Sequence, residues 1–279
     1  MPNVDHGIDQ LEMADFQRVA SFIMSATGIQ LPPAKKTMIE GRLRKRARAL
    51  GLDNVAEYCR VVFDAGGFDA EAINLIDAVT TNKTDFFREP AHFRFLAETA
   101  LPELAAAGRP GKIWSAACSI GAEPYTIAMV ASDFAQGFPD WGFSILASDI
   151  STEVLAKAAK GVFQQEMIEP VPLAMRQRYL LRSRDPAKAV VRMAPEIRDL
   201  VRFTRINLID EHYRVDRDMD VIFCRNLLIY FDQPTRETVV RRLCACLRPG
   251  GYLILGLTDS TAGMPMPLER LGLSIFRRT

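Results

Sequence analysis

Three observations predict an α/β fold: a nucleotide-type parallel sheet, preceded by a small all-helical domain and interrupted by a small antiparallel β insert. The first is IWSAACSIGAEPY at 113–125, where a short apolar run meets a cluster of small residues, then Gly121, Glu123 and Pro124. That pattern reads as strand, tight turn and helix start, because the first helical turn has no use for the N–H that proline lacks. The second is the alternation of strand-like and helix-like segments from residue 111 onward, which implies a parallel sheet covered on both faces. The third is the helical periodicity that fills residues 11–80.

Bulk properties narrow the function. The 279 residues allow one large or two small domains, and 48% hydrophobic with 25% charged residues is ordinary for a globular chain. A net charge of +1 argues against a polyanion binder as a whole, so basic character must be local. Apolar runs such as 252–257 are too short for a bilayer. The first twenty residues carry Asp5, Asp9, Glu12 and Asp15 without an apolar core, which argues against a secretory signal. A cytoplasmic protein without membrane insertion, working as a monomer, is the expectation. Five cysteines (Cys59, Cys118, Cys224, Cys244, Cys246) lack C-x-x-C spacing, and His6, His92 and His212 are scattered. Neither a disulfide framework, a metal site nor a catalytic triad is expected.

Taken in order, residues 1–10 read as a mobile tail. Helices are expected at 11–24 (closed by Gly28), from Pro32-Pro33 to about Leu50 (stopped by Gly51), at 54–63 and at 69–79. Domain boundaries follow: 1–80 helical, 81–110 linker and connecting helix, and 111–279 the α/β domain. The α/β domain should have strands at 112–116, 143–148, 219–224, 251–257 and 272–277, and helices at 124–136, 152–160 and 234–247. Residues 161–206 break the alternation. Met175–Leu181 reads as helix, and Ala189–Met193 with Leu200–Ile206 as β runs about the turn Arg184-Asp185-Pro186. An antiparallel β-subdomain at about 182–206 is expected.

The second helix is strongly basic: Lys35, Lys36, Arg42, Arg44, Lys45, Arg46 and Arg48 stand against Glu40 alone. At helical spacing Ile39, Leu43, Ala47 and Leu50 form one apolar face, with the bases around the rest. Without interleaved acids, pairing along the helix does not explain the bases. Arg42, Lys45, Arg46 and Arg48 are therefore candidates for docking an acidic partner. The absence of aromatics to stack bases favours protein over nucleic acid.

The stretch TTNKTDFFRE (80–89) combines polar residues with two phenylalanines and Arg88, so it should pack onto something. Ligands of open α/β sheets bind at strand carboxyl ends. Asp149, Asn207, Arg225, Asn226 and Tyr230 all fall there, on the rim with Gly121. The loop at 115–121 carries neither a phosphate loop nor a G-x-G-x-x-G fingerprint, so its nucleotide-like ligand need not contain phosphate. Asp149 reads as a ribose acceptor or as a helix N-cap, a role that Ser151 fills equally well.

Five motifs in one order, TTNKTDFFRE, IWSAACSIGAEPY, ASDIS (147–151), FCRNLLIYFD (223–232) and LRPGGYLILG (247–256), resemble the chemotaxis receptor methyltransferase family, CheR, over residues 11–279. The resemblance implies a Rossmann-like methyltransferase that uses S-adenosylmethionine and releases S-adenosylhomocysteine. It implies transfer to glutamate side chains on the acidic helical region of methyl-accepting chemotaxis receptors, as 5-O-methyl esters. Family cofactor positions carry over to Asn82, Thr84, Arg88, Ala117, Glu123, Asp149, Asn207, Leu208, Arg225 and Asn226. Asp149 is implied on the ribose and Glu123 on the charged methionyl end, and Tyr230 matches a tyrosine near the transferred methyl.

The chemistry needs no general base, because a glutamate with a reference pKa of about 4.3 is already ionised at neutral pH. The enzyme must supply alignment and exclude water. Arg88 and Tyr230 are the catalytic candidates, orienting either the substrate carboxylate or the cofactor's own. Some members hold a receptor's C-terminal pentapeptide through a glycine-containing turn of the β-subdomain. Here the turn at 182–188 has no glycine, which argues against tether binding. Three alternatives stay open: the same chemistry on a non-chemotaxis signalling protein, a catalytically idle cofactor-binding module, and, from the basic helix alone, nucleic-acid methylation.

Overall fold

The computed structural model describes residues 10–185, 187–261, 263–272 and 274–279. The expected tail lies outside these apart from Gln10, as does Pro186 of the expected turn. The chain forms two compact units, Met1–Thr81 and Asn82–Thr279.

Among its described residues, the first unit has four α-helices. α1 (Met13–Thr27) buries Phe16, Val19 and Ile23, one stripe at helical spacing, and ends where the Gly28 N–H returns to the Met24 carbonyl. A short 3-10 turn, Pro33–Lys35, leads into α2 (Lys36–Ala49). Asn54 caps α3 (Val55–Phe63) by accepting the Glu57 N–H at 2.8 Å, and α4 (Phe68–Val79) closes the unit. Ile39, Leu43 and Ala47 are buried, whereas Leu50, expected on the same face, is 43% exposed. It lies just past the last helical turn, where the chain leaves the α2 stripe.

The bases of α2 are not a uniform solvated face. Arg42 caps the carboxyl end of α4, donating to the carbonyls of Val79 and Thr80, the latter at 2.7 Å. Arg46 grips the buried Glu71 of α4 with Nε and Nη2, the latter 2.9 Å from Oε2. The Tyr58 hydroxyl joins at 3.2 Å, its pKa pushed up by burial and by that carboxylate. Arg44 pairs with Glu40 at 2.9 Å. The Glu40 carboxyl is held below its usual range by the Leu11 N–H and by Arg44. Arg42 and Arg46, two of the four expected docking residues, thus tie α2 to α4. The acids missing from the local sequence come from a helix about twenty-five residues on, outside the reach of a periodicity argument. Lys45 and Arg48 are exposed and in no ion pair among the described residues.

The second unit begins with α5 (Pro90–Phe95), a π-helical turn (Leu96–Ala100) and α6 (Leu101–Ala106). The order is then β1 (Gly111–Ala116), α7 (Ala122–Ala135), β2 (Phe143–Asp149), α8 (Thr152–Lys160), β3 (Val162–Gln164) and α9 (Leu173–Tyr179). There follow β4 (Leu180–Arg182), β5 (Val190–Met193), α10 (Pro195–Arg198), β6 (Val201–Arg205) and β7 (Met219–Cys224). The chain closes with α11 (Gln233–Cys246), β8 (Leu247–Leu255), β9 (Leu268–Gly272) and β10 (Ile275–Arg278). The main sheet runs β6-β2-β1-β7-β8-β10-β9. Its first five strands are parallel, and β10 is antiparallel to both neighbours. From β1 the chain builds outward to β2 and β6, then crosses to β7 and β8. The switch point lies at the carboxyl end of β1, where such sheets bind ligands.

Two expectations change. The run at 200–206 does not belong to the insert: β6 pairs in parallel with β2, Val201 opposite Ile145 and Arg205 opposite Asp149. The insert is the three-stranded sheet β3-β5-β4, which starts earlier, at Val162. An amphipathic strand carries no label for the sheet it joins. Nor is 81–110 a linker. Phe86, Phe93, Leu96, Ala100 and Leu101 are buried in one core with Ile113, Ile145 and Phe223, since removing large apolar side chains from water is favourable.

Candidate active site

The loop between β1 and α7 adopts an unusual backbone. Ala117 and Ser119 have φ of 63° and 52°, left-handed values that L residues avoid. Local bonds hold it: the Cys118 N–H donates to the Ser148 carbonyl at 2.8 Å, and the Ser119 N–H to Asp149 Oδ2 at 2.9 Å. Ser119 Oγ donates to the Asn82 carbonyl at 2.8 Å, which ties the loop to the 82–89 segment. Gly121 has φ 95°, and a Cβ there would sit 3.0 Å from the Ala158 side chain and 3.2 Å from the Tyr125 ring, so only glycine fits. Cys118 is a packed thiol whose pKa burial raises well above normal, so it is no nucleophile.

Asp149 stands at the end of β2. Its Oδ1 accepts the Ser151 N–H at 2.9 Å, while the Ser151 hydroxyl caps α8 through Val154. The capping role is thus filled by Ser151, and Asp149 instead bridges two loops at the rim.

A second network centres on Arg225, buried at the end of β7. Its Nη1 lies 3.0 Å from Glu123 Oε2, and its Nη2 lies 3.1 Å from Glu89 Oε2 and also donates to the Arg88 carbonyl. The guanidinium stands 5.3 Å from the Phe93 ring centroid. Glu123 also accepts from Ser115 Oγ at 2.7 Å. Burial pushes the Glu89 carboxyl up, but the Asn226 amide and the Arg225 charge outweigh it and hold the group below its usual range. Arg88 lies between Phe87 and Glu89, both left-handed (φ 52° and 58°), and its Nη1 donates to the Lys83 carbonyl at 3.2 Å. Its aromatic neighbours pack as the sequence suggested, Phe86 on Phe163 at 4.8 Å and Phe87 on Phe93 at 5.6 Å.

Two groups of candidates are therefore brought together: Asn82 with Asp149 through Ser119, and Arg225 with Glu123, with the Arg88 backbone carbonyl and, through Glu89, with Asn226, while the Arg88 guanidinium turns to the Lys83 carbonyl. The first group holds the loop that carries Ala117 through Ser119, and the second lies at its flanks, Ser115 and Glu123. The half-buried Thr84 belongs to the same 82–89 segment. Asn207 and Leu208 follow β6, so assigning that strand to the main sheet puts them beside the end of β2; Leu208 is buried, and its carbonyl accepts from Tyr213. Tyr230 ends the 3-10 turn Leu228–Tyr230 after β7. Sequence reasoning missed Ser115, Ser119, Glu89 and Asp259. The first three lay inside quoted motifs, whereas Asp259 lies three residues beyond the last of them.

Residues 82–275 match the family described as CheR methyltransferase, SAM binding domain, and residues 14–80 match its all-alpha domain. The chain belongs to the CheR methyltransferase family. It is 37% identical over 268 residues to the chemotaxis protein methyltransferase of Salmonella typhimurium, covering 95% of this chain and 90% of the relative. It is 38% identical over 262 residues to chemotaxis protein methyltransferase 2 of Pseudomonas aeruginosa (94% and 92% covered). The Escherichia coli protein is 35% identical over 268 residues (95% and 91%). This CheR methyltransferase is an S-adenosylmethionine-dependent enzyme. The donor set of its rim fits that cofactor: carboxylates at Glu123 and Asp149 suit a cationic, hydroxyl-bearing ligand. Among the described residues, no helix is long and apolar enough to cross a membrane, and no group of acids, histidines and cysteines is arranged to hold a metal.

Proposed function

We propose that this CheR methyltransferase converts glutamate side chains on the cytoplasmic helices of chemoreceptors to 5-O-methyl esters, for sensory adaptation. The observation that carries the reading is the network in which Arg225 joins Glu123, Glu89 and the Arg88 backbone carbonyl, with the Asn226 amide on Glu89, at the carboxyl ends of β1 and β7. When bound, S-adenosylmethionine supplies a methyl group activated by a sulfonium centre. Asp149, fixed by two backbone amides, meets ribose hydroxyls. Glu123, paired with Arg225, sets the charge balance at the methionyl end. Asn82, Thr84, Ala117, Asn207, Leu208 and Asn226 complete the cofactor contacts. Arg88 and Tyr230 orient the carboxylates, and the aromatic packing around Arg88 excludes water from the transfer.

On the helical unit, Lys45 and Arg48 dock the acidic receptor region, and Arg42 and Arg46 hold the helix that presents them. The enzyme works in the cytoplasm as a monomer and without a pentapeptide tether, since the insert's turn lacks glycine. The test incubates the protein with methyl-labelled cofactor and a chemoreceptor cytoplasmic fragment. Base-labile label on the fragment, released as methanol, is the expected result. Base-stable label on added nucleic acid overturns the reading. Arg88→Ala is expected to lower transfer by more than about a hundredfold, as for loss of a charged orienting group, while the melting temperature moves by only a few degrees. Unchanged turnover removes Arg88 from the mechanism.

A further inference from the structure

The carboxyl ends of β7 and β8 meet at one residue outside every motif in the sequence. Asp259 is 8% exposed, and its Oδ2 accepts the Asn226 N–H at 2.6 Å and the Gly256 N–H at 2.9 Å. The Ile229 amide faces the same carboxylate. Asn226 takes a left-handed φ of 56°, a conformation that Asn tolerates better than other side-chain-bearing residues, and the Asp259 carboxylate fixes it there. Its side-chain amide is held as well, 3.1 Å from Glu89 Oε1 and 3.4 Å from Thr258 Oγ1. The junction has no slack: a Cβ on Gly256 would come 2.5 Å from Asn226 Nδ2, 2.6 Å from its N and 2.8 Å from Asp259 Oδ2. Two residues beyond Asn226 begins the 3-10 turn that ends at Tyr230.

We infer that Asp259 is a positioning residue for methyl transfer: by fixing the Asn226 turn it sets the cofactor contact there and the approach of Tyr230. Asp259 acts through Asn226 and Ile229 and is not itself offered as a contact to cofactor or substrate. The inference rests on the site reading above, in which Asn226 binds cofactor and Tyr230 serves the transfer. A buried carboxylate is an unusual choice for a merely structural clamp. Burial raises the Asp259 pKa, and Oδ1 is buried with no hydrogen-bond partner among the described residues. Burying that carboxylate with one oxygen unpaired costs stability, as expected of a group that serves orientation rather than stability.

The test compares the unsubstituted protein with Asp259→Asn and Gly256→Ala. It measures S-adenosylhomocysteine binding by calorimetry, cofactor KM and kcat on a chemoreceptor fragment, and thermal melting. Asp259→Asn keeps the shape but replaces a charged acceptor by a neutral amide oxygen, which weakens the bonds from the Asn226 and Gly256 amides. It is expected to weaken binding and raise cofactor KM about tenfold and to lower kcat about tenfold, the scale of one lost charge-assisted hydrogen bond. The melting temperature should hold, since a buried charge is removed. A purely stabilising Asp259 would lower melting and the active fraction while leaving KM and per-site kcat unchanged, and that result overturns the inference. Should Asp259→Asn not fold, Gly256→Ala displaces Asn226 from the opposite side and is expected to produce the same KM and kcat losses; wild-type constants in that variant overturn the proposal. A wild-type protein that binds no S-adenosylhomocysteine overturns the site reading and this inference together, whereas intact wild-type binding with an equally active Asp259→Asn removes the inference alone.

Discussion

The two units treat charge in opposite ways. On α2 the charges are contiguous in sequence and the fold separates their roles: Arg42 and Arg46 turn inward onto α4, while Lys45 and Arg48 face solvent. At the rim of the sheet the charges are scattered in sequence and the fold collects them. Glu89, Glu123, Arg225 and Asp259 come from four segments and lie within one hydrogen-bonded network, which includes the contact from the Leu257 N–H to Glu89 at 3.3 Å. The comparison teaches that a run of like charge on a helix is weak evidence about what each charge does. Charges at the carboxyl ends of parallel strands are stronger evidence, because the topology itself forces them together.

The largest effect that can break this contrast is at Arg225. Arg225→Ala leaves Glu89 and Glu123 without their shared cation and is expected to cost about 3–5 kcal/mol, the usual result of removing one partner of a buried pair, and to abolish transfer. Urea denaturation reads it, and a loss below about 1 kcal/mol, the scale of an exposed pair, would mean that the rim network is as solvated as a surface.

Next comes Arg46→Ala, which strips the buried Glu71 of its two-point partner. About 1.5–3 kcal/mol of stability should go, the range for hydrogen bonds to charged groups. The double variant Lys45→Ala/Arg48→Ala sharpens the contrast from the other side. Its stability should stay within about 0.5 kcal/mol of the parent. Its receptor methylation rate should fall severalfold at low salt and converge with the parent as ionic strength rises. If Arg46→Ala is neutral while the double variant unfolds, the two roles have been assigned the wrong way round.

The smallest effect appears in acid. The Glu89 pKa is depressed in the folded state, so its contribution is fully present above the unfolded value, about 4.3, and is lost as pH falls through the folded one. Cofactor-product binding should therefore hold from pH 7 to about 5 as far as this group is concerned. A decline within that window that is present in the parent and absent from Glu89→Gln would show that Glu89 is not held by Arg225 and Asn226.

Much of this was legible beforehand. The helices of the first unit follow from apolar spacing and from stops such as Gly28, and the main strands from short apolar runs between turn signals. Asp149 and Arg225 were legible as rim residues because each ends a strand. The fate of β6 was not, since Val201 and Phe203 suit either an antiparallel insert or the edge of a parallel sheet. Glu89 was hidden because its neighbours drew the attention to Phe86, Phe87 and Arg88, and an acid beside an arginine in sequence gives no sign of a different arginine 136 residues away.

By itself, the sequence determined the sheet, the helical unit, the phosphate-free ligand class and the family, because local periodicity, turn chemistry and motif order are written in adjacent residues. Only the tertiary structure decided which bases of α2 are left outward, which sheet β6 joins, and that Asp259 and Glu89 grip the Asn226 turn. Those outcomes depend on partners that chain topology brings within about 3 Å, the range at which a hydrogen bond or buried ion pair has its strength.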